Sequence, residues 1–210
     1  TTIAIYEETP VACFTATPNP AACTDEVLLN ARCSFHTNPA RSIVRYAWDL
    51  TGEGRFVDGE VALGHTFARN GIYEVALRVS DDRIPPVTFT TTQIVNVTVG
   101  NEPPVADAGG PYVVVAGDAL TLDAGSSYDP DEEVCRDEFT AAWDLNGDGV
   151  FDDAEGVMVT IPWLRLEELG LILNPDDADG SVYEIAVQVT DRVGLQATGT
   201  AEVTVIGFVP

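Results

Sequence analysis

The chain has 210 residues, enough to bury one large core or two of about 100 residues each. It carries 34 acidic residues against ten Arg and no Lys, a formal net charge of −24. That balance excludes the basic patches needed by nucleic acid and anionic membranes, and suits divalent cations, high salt or simple solubility. No apolar run approaches the ~20 residues of a membrane span, so no membrane insertion is expected in this segment. Four Cys with no CxxC spacing point to disulfides in an oxidising compartment rather than to zinc. The two His belong to no HExxH or GxSxG arrangement, so catalysis has little to stand on and no enzyme is expected.

The first nine residues open as TTIAIYEET, with neither a basic region nor a cleavage-like apolar stretch. They read as the tail or linker of an earlier segment. From Pro10 onward short apolar stretches alternate with Gly, Pro, Asn and Asp. Tyr73, Val75, Leu77 and Val79 alternate with Glu74, Ala76, Arg78 and Ser80, the period of a strand with one buried face. Gln93–Val99 reads as the strand that closes this first block.

The block then repeats. Tyr46-Ala-Trp-Asp-Leu-Thr-Gly-Glu-Gly-Arg-Phe56 recurs as Ala141-Ala-Trp-Asp-Leu-Asn-Gly-Asp-Gly-Val-Phe151, with Trp48 and Trp143 95 residues apart. Pro10-Val-Ala recurs as Pro104-Val-Ala, and Leu29-Asn-Ala as Leu122-Asp-Ala. Gly71–Asp81 recurs as Ser181–Asp191 at an offset of 110, so the second copy carries about 15 extra residues after its Trp-Asp loop. The expected domains are 10–100 and 101–210, joined near Gly100-Asn-Glu-Pro-Pro104. Within the second copy, Thr200–Val205 reads as the closing strand. Turn signals every ~8–12 residues and a Trp on the third strand predict an all-β, Ig-like sandwich for each copy. The insertion Ile161–Leu173 has Leu164, Leu166, Leu169 and Leu171 near helical spacing behind Pro162, and predicts a short helix over the second sandwich.

These segments resemble the PKD domain family. Its W-D-F-G-D-G turn is similar to Trp48–Gly54 and more closely to Trp143–Gly149, and its G-x-Y-x-V-x-L-x-V-x-D strand to Gly71–Asp81. Its P-P-x-A-x-A-G entry matches Pro103–Gly109, and its D-A-S-x-S-x-D-P-D segment resembles Asp123–Asp131. The first copy departs from the family at Cys33-Ser-Phe-His-Thr-Asn-Pro39, where an acidic segment is usual. The resemblance implies two tandem PKD-type, Ig-like β-sandwiches of an extracellular, secreted or cell-surface protein. They would act as a rigid spacer or adhesive segment toward protein or carbohydrate partners or flanking domains. The alternative is an accessory carbohydrate- or substrate-binding segment of a secreted hydrolase. Trp163, with Tyr112 and Tyr128, is the aromatic candidate for sugar contact, although a Trp in an insertion more often anchors it to the core. In such a sandwich, Cys13 and Cys33 fall at one end of the first domain. Cys23 falls at the other end, near the Cys135 loop, giving Cys13–Cys33 and Cys23–Cys135. A local Cys13–Cys23 clip is the competing arrangement.

Asp144, Asn146, Asp148, Gly149 and Glu155 match the calcium-loop pattern D-x-[DN]-x-[DN]-G-x5-E. Asp144, Asn146 and Asp148 would offer side-chain oxygens, Val150 its carbonyl, and Asp152 or Glu155 would complete the shell. The competing reading is that Asp144 caps the turn while glycines supply positive φ. The first copy tests this internally, since Asp49, Thr51, Glu53 and Gly54 make a poor ligand set around the same corner. Two acidic runs, Asp129–Glu133 and Asn174–Gly180, read as solvated loops that could share an ion.

Overall fold

One tryptophan on a central strand organises each repeat. The computed structural model describes residues 9–174 and 180–207. Residues 1–8 of the N-terminal tail and 175–179 of the second acidic run lie outside the described residues. The chain divides into two units, Thr1–Asn101 and Glu102–Pro210.

The first unit contains β1 (Pro10–Val11), β2 (Thr15–Thr17), β3 (Val27–Asn30), β4 (Phe35–His36) and β5 (Ile43–Asp49). β6 (Val57–Gly59), β7 (Ala62–His65), β8 (Gly71–Asp81) and β9 (Thr88–Val97) follow. They form a three-stranded sheet, β2-β3-β7, a four-stranded sheet, β6-β5-β8-β9, and the small pair β1-β4. The second unit contains β10 (Tyr112–Val115), β11 (Leu120–Asp123), α1 (Glu132–Cys135), β12 (Thr140–Asp144) and β13 (Ala154–Glu155). β14 (Met158–Ile161), α2 (Trp163–Glu168), β15 (Ser181–Thr190) and β16 (Gln196–Ile206) complete it. Its sheets are β10-β16-β15-β12-β13 and β11-β14, antiparallel except where β10 runs parallel to β16. Both units are Ig-like all-β sandwiches.

The alternation read from the sequence sets which face is buried. Val75, Leu77 and Val79 on β8, and Ile185, Val187 and Val189 on β15, are all buried. Trp48 and Trp143 enter the cores from the neighbouring strands and must still satisfy an indole N–H. Trp48 Nε1 donates to the Glu60 carbonyl at 3.0 Å, and Trp143 Nε1 to the Gly156 carbonyl at 2.9 Å. Both acceptors lie on the chain returning from the Trp-Asp turn, so the indole fixes where that turn ends. Phe14 packs edge-on to Trp48 with ring centroids 5.2 Å apart. Trp143 sits in a cluster with Leu122, Leu145, Ile185, Val187 and Val203.

Three details differ from the sequence reading. The closing strands start earlier than expected, at Thr88 and Gln196, because Thr88-Phe-Thr-Thr-Thr92 has β propensity but no apolar alternation to announce it. The insertion is helical only over Trp163–Glu168. There Gly170 turns at φ +86 and the Leu171 N–H donates to the Leu166 carbonyl at 2.9 Å, closing the helix and burying both leucines. The acidic run after Asp129, which reads as a solvated loop in the sequence, winds into the four-residue helix α1.

Trp143→Ala empties the largest fully buried side chain and is expected to cost about 3–5 kcal/mol, read as the loss in urea unfolding free energy. Val182→Ala, at an exposed position of β15, should change it by less than about 0.5 kcal/mol.

Candidate metal centre

The Trp-Asp turn uses its acids internally. Asp144 is buried, and its two carboxylate oxygens accept from the Gly147 and Gly149 N–H groups at 2.7 and 2.8 Å. Both glycines have positive φ, which lets one carboxylate collect two amides from so tight a loop. Asn146 Oδ1 accepts from the Asp148 N–H, its Nδ2 donates to Asp148 Oδ2, and Asp148 Oδ1 accepts from the Val150 N–H. Asp153, unremarked in the motif, closes the loop by accepting from the Leu145 and Asn146 N–H groups. Asp152 and Glu155 are exposed. Asp49 repeats the arrangement in the first unit, accepting from Thr51, Gly52 and Gly54 at 3.1, 3.0 and 2.7 Å.

A different set of acids converges elsewhere in the second unit. One carboxylate oxygen from each of Asp129, Asp137 and Asp191 lies within 4.8 Å of the others, and all three residues are buried. This is the one such group of three among the described residues. Local structure places each of them. Asp129 precedes α1, and its Oδ1 accepts from the Asp131 N–H at 2.8 Å. Arg136, left-handed at φ 49, ends α1 and reverses the chain into Asp137. Asp191 ends β15, and its Oδ1 gathers the Val193, Gly194 and Leu195 N–H groups at 2.9, 2.6 and 2.7 Å. Asp137 Oδ1 accepts from the Arg192 N–H at 3.1 Å, joining two of these loops.

Asp129 Oδ2 is buried with no hydrogen-bond partner. Burial, followed by the charges of Asp137, Asp131 and Asp191, pushes the Asp129 carboxyl up to about 6 against the opposing Asp131 amide. A buried, unpartnered carboxylate oxygen facing two further carboxylates is the environment a hard cation relieves. An ion with ligands at about 2.3–2.6 Å bridges oxygens up to ~5 Å apart, which fits this spacing and suits calcium better than the smaller magnesium.

The same position in the first unit is wired differently. Ser34 and Ser127 are equivalent: each hydroxyl accepts from and donates to one backbone residue, Cys13 and Asp107 respectively. Two residues beyond each serine stand His36 and Asp129. Asp81, the counterpart of Asp191, lies 2.6 Å from Arg83 Nε and 3.4 Å from His36 Nε2. Burial opposes its charge, but the Val87 amide and the Arg83 side chain and amide outweigh that and hold the carboxyl down at about 2.

A PKD domain family model matches residues 7–99. The chain belongs to the PKD domain family. Among solved structures, the PKD1 domain of Vibrio anguillarum Epp is 31% identical, covering 42% of this chain and 93% of that one, with a TM-score of 0.34. The PKD1 domain of the Vibrio cholerae metalloprotease PrtV is 27% identical, covering 42% and 96%, at TM-score 0.33. A structure of carbohydrate-binding modules from the β-sandwich superfamily is 16% identical, covering 87% and 55%, at TM-score 0.40. No curated protein matches the chain.

The remaining sequence candidates fall as follows. Cys13 and Cys33 are disulfide-bonded with Cα atoms 5.3 Å apart. Cys23 and Cys135 are each buried in their own unit, and neither is a free thiol. Trp163 is partly buried against the core of its repeat, and the Tyr112 hydroxyl bonds the Ala108 carbonyl, whereas Tyr128 is exposed. Asp137 and Asp191 were missed as site residues. The available signal was the exchange of His36 for Asp129 between the copies, read together with the acid that ends each repeated strand.

Asp81 has a depressed folded-state pKa, so its contribution to stability is present above about pH 4 and is lost as pH falls through about 2. Calorimetric midpoints at pH 5 and pH 2.5 should therefore fall more steeply with acid for the native chain than for Asp81→Asn.

Proposed function

We propose that the chain is a non-catalytic module of an extracellular protein, a rigid spacer or adhesive segment for protein or carbohydrate partners, whose second repeat binds calcium at Asp129, Asp137 and Asp191. PKD domains are typically extracellular and non-catalytic, and oxidised cysteines suit that setting. The observation that carries the calcium reading is the buried, unpartnered Asp129 Oδ2. The donor set is oxygen throughout, as calcium prefers, and includes neither the thiolates nor the imidazoles that favour zinc. An ion there would tie the segment before α1, the segment after it and the end of β15 into one structure. That stiffens one end of the sandwich, which serves a spacer under load or an adhesive surface. The inward packing of Trp163 favours a spacing or protein-contact role over a sugar platform on the insertion.

The test is a calorimetric calcium titration of the 210-residue chain together with its thermal midpoint. One site is expected, with a rise in midpoint that EDTA reverses. Asp129→Asn should weaken affinity by at least about tenfold, whereas Asp148→Ala, in the turn, should leave it within about twofold. Neither heat nor a midpoint shift in the native chain would retire the calcium reading. Loss in Asp148→Ala alone would return the site to the Trp-Asp turn.

A further inference from the structure

The two repeats finish the surface beside their tryptophans in different ways. Trp48 and Leu50 stand 95 residues before Trp143 and Leu145 in the repeated Trp-Asp-Leu segment. Leu29 pairs with Leu63 as the equivalent Leu122 pairs with Val159, so His65 corresponds to Ile161 two residues on. Beyond that point the copies diverge. Residues 66–70 lead from β7 straight to β8, whereas 162–180 lead from β14 to β15 and carry α2.

In the second repeat α2 lies against this surface. Leu166 and Leu171 are buried in one apolar cluster with Trp143, Leu145 and Ile161. Arg165 Nη2 reaches Asp153 Oδ1 at 3.5 Å, and Asp153 Oδ2 accepts from the Leu145 N–H, which seats α2 beside Leu145. Leu145 and Ile161 consequently keep only 1% and 4% of their surface.

In the first repeat the corresponding surface is an open, mainly apolar groove of about 480 Å³, lined by Trp48, Leu50, Val57, Leu63 and His65. That size falls within the ~300–1,000 Å³ of sites that enclose a ligand or a few side chains. Leu50, Leu63 and His65 are only half-buried and Val57 is exposed, although Leu50 and His65 match the two residues sealed in the other copy. Burial lowers the His65 pKa, so its ring stands uncharged at neutral pH and adds to the apolar wall.

We propose that this groove docks a short amphipathic helix of a partner protein, presenting leucines as α2 presents Leu166 and Leu171. The first repeat thus receives from outside what the second carries in its own chain. A net charge of −24 repels acidic segments, so the occupant is a neutral or basic helix. This deepens the adhesive reading above and rests on it, but makes no use of the calcium site.

The experiment is amide-resolved NMR of the 210-residue chain, titrated with a capped peptide of residues 161–173 carrying Glu167→Lys and Glu168→Lys. Ordering so short a helix costs affinity, so the peptide is taken to millimolar concentration. Saturable shifts are expected at Leu50, Val57, Leu63 and the Trp48 indole, equally in calcium and in EDTA. Val57→Glu in the chain, or Leu166→Asp in the peptide, should each weaken binding by at least about tenfold. Val57 is exposed, so its variant should keep the native spectrum elsewhere. Shifts nowhere in the native chain would overturn the docking site. Binding that ignores Val57→Glu would also overturn it, yet would leave the adhesive reading standing on another face. The same resonances moving when the chain alone is concentrated would make a second copy the occupant and equally defeat the proposal.

Discussion

A carboxylate buried at the end of the long central strand is the constraint on which the rest of each repeat depends. Asp81 and Asp191 stand there because the following loop turns so tightly that its amides converge on one point, where a single carboxylate oxygen, Oδ1, accepts from all of them. Amides alone do not restore the solvation a carboxylate loses on burial. The first repeat answers with Arg83. The second deepens the deficit by bringing Asp129 and Asp137 to the same place. The opposite shifts of Asp81 and Asp129, one down to about 2 and one up to about 6, express that difference in surroundings within one fold.

In the Trp-Asp turn the residues of the ligand pattern also bond the loop's own amides. Asp144 and Asp49 make the same bonds to a glycine-bearing loop, although the residues between them differ, Asn146 and Asp148 in one copy and Thr51 and Glu53 in the other. The alternation of acids in the second copy follows from how short polar side chains bond the amide two residues on, as Asn146 does to Asp148 and Asp148 to Val150. A calcium loop and a corner of this kind have similar sequences because both wrap a tight turn around oxygen.

Much of the architecture was legible before the structure. The β8 and β15 alternation, the paired tryptophans and the 95-residue repeat all follow from which faces must leave water, a property each residue carries with it. Where that signal fell silent, so did the reading. The Thr-rich start of β9 has no apolar face to announce it, and α1 is too short and too acidic for helical periodicity. The acidic run at Asp129 was seen, and so was the unusual His36 segment, but not that one replaces the other beside a third element.

The sequence by itself determined two Ig-like sandwiches, their order, their tryptophan cores and an acidic, oxidised, PKD-type character, because these rest on periodicity and repetition along one chain. The tertiary structure decided which acids lie together. Asp129, Asp137 and Asp191 are separated by up to 62 residues and meet only because α1 and the turn after β15 fold back to one end of the sandwich. Charge density along a chain says how many carboxylates exist. Only packing decides which of them lose water together.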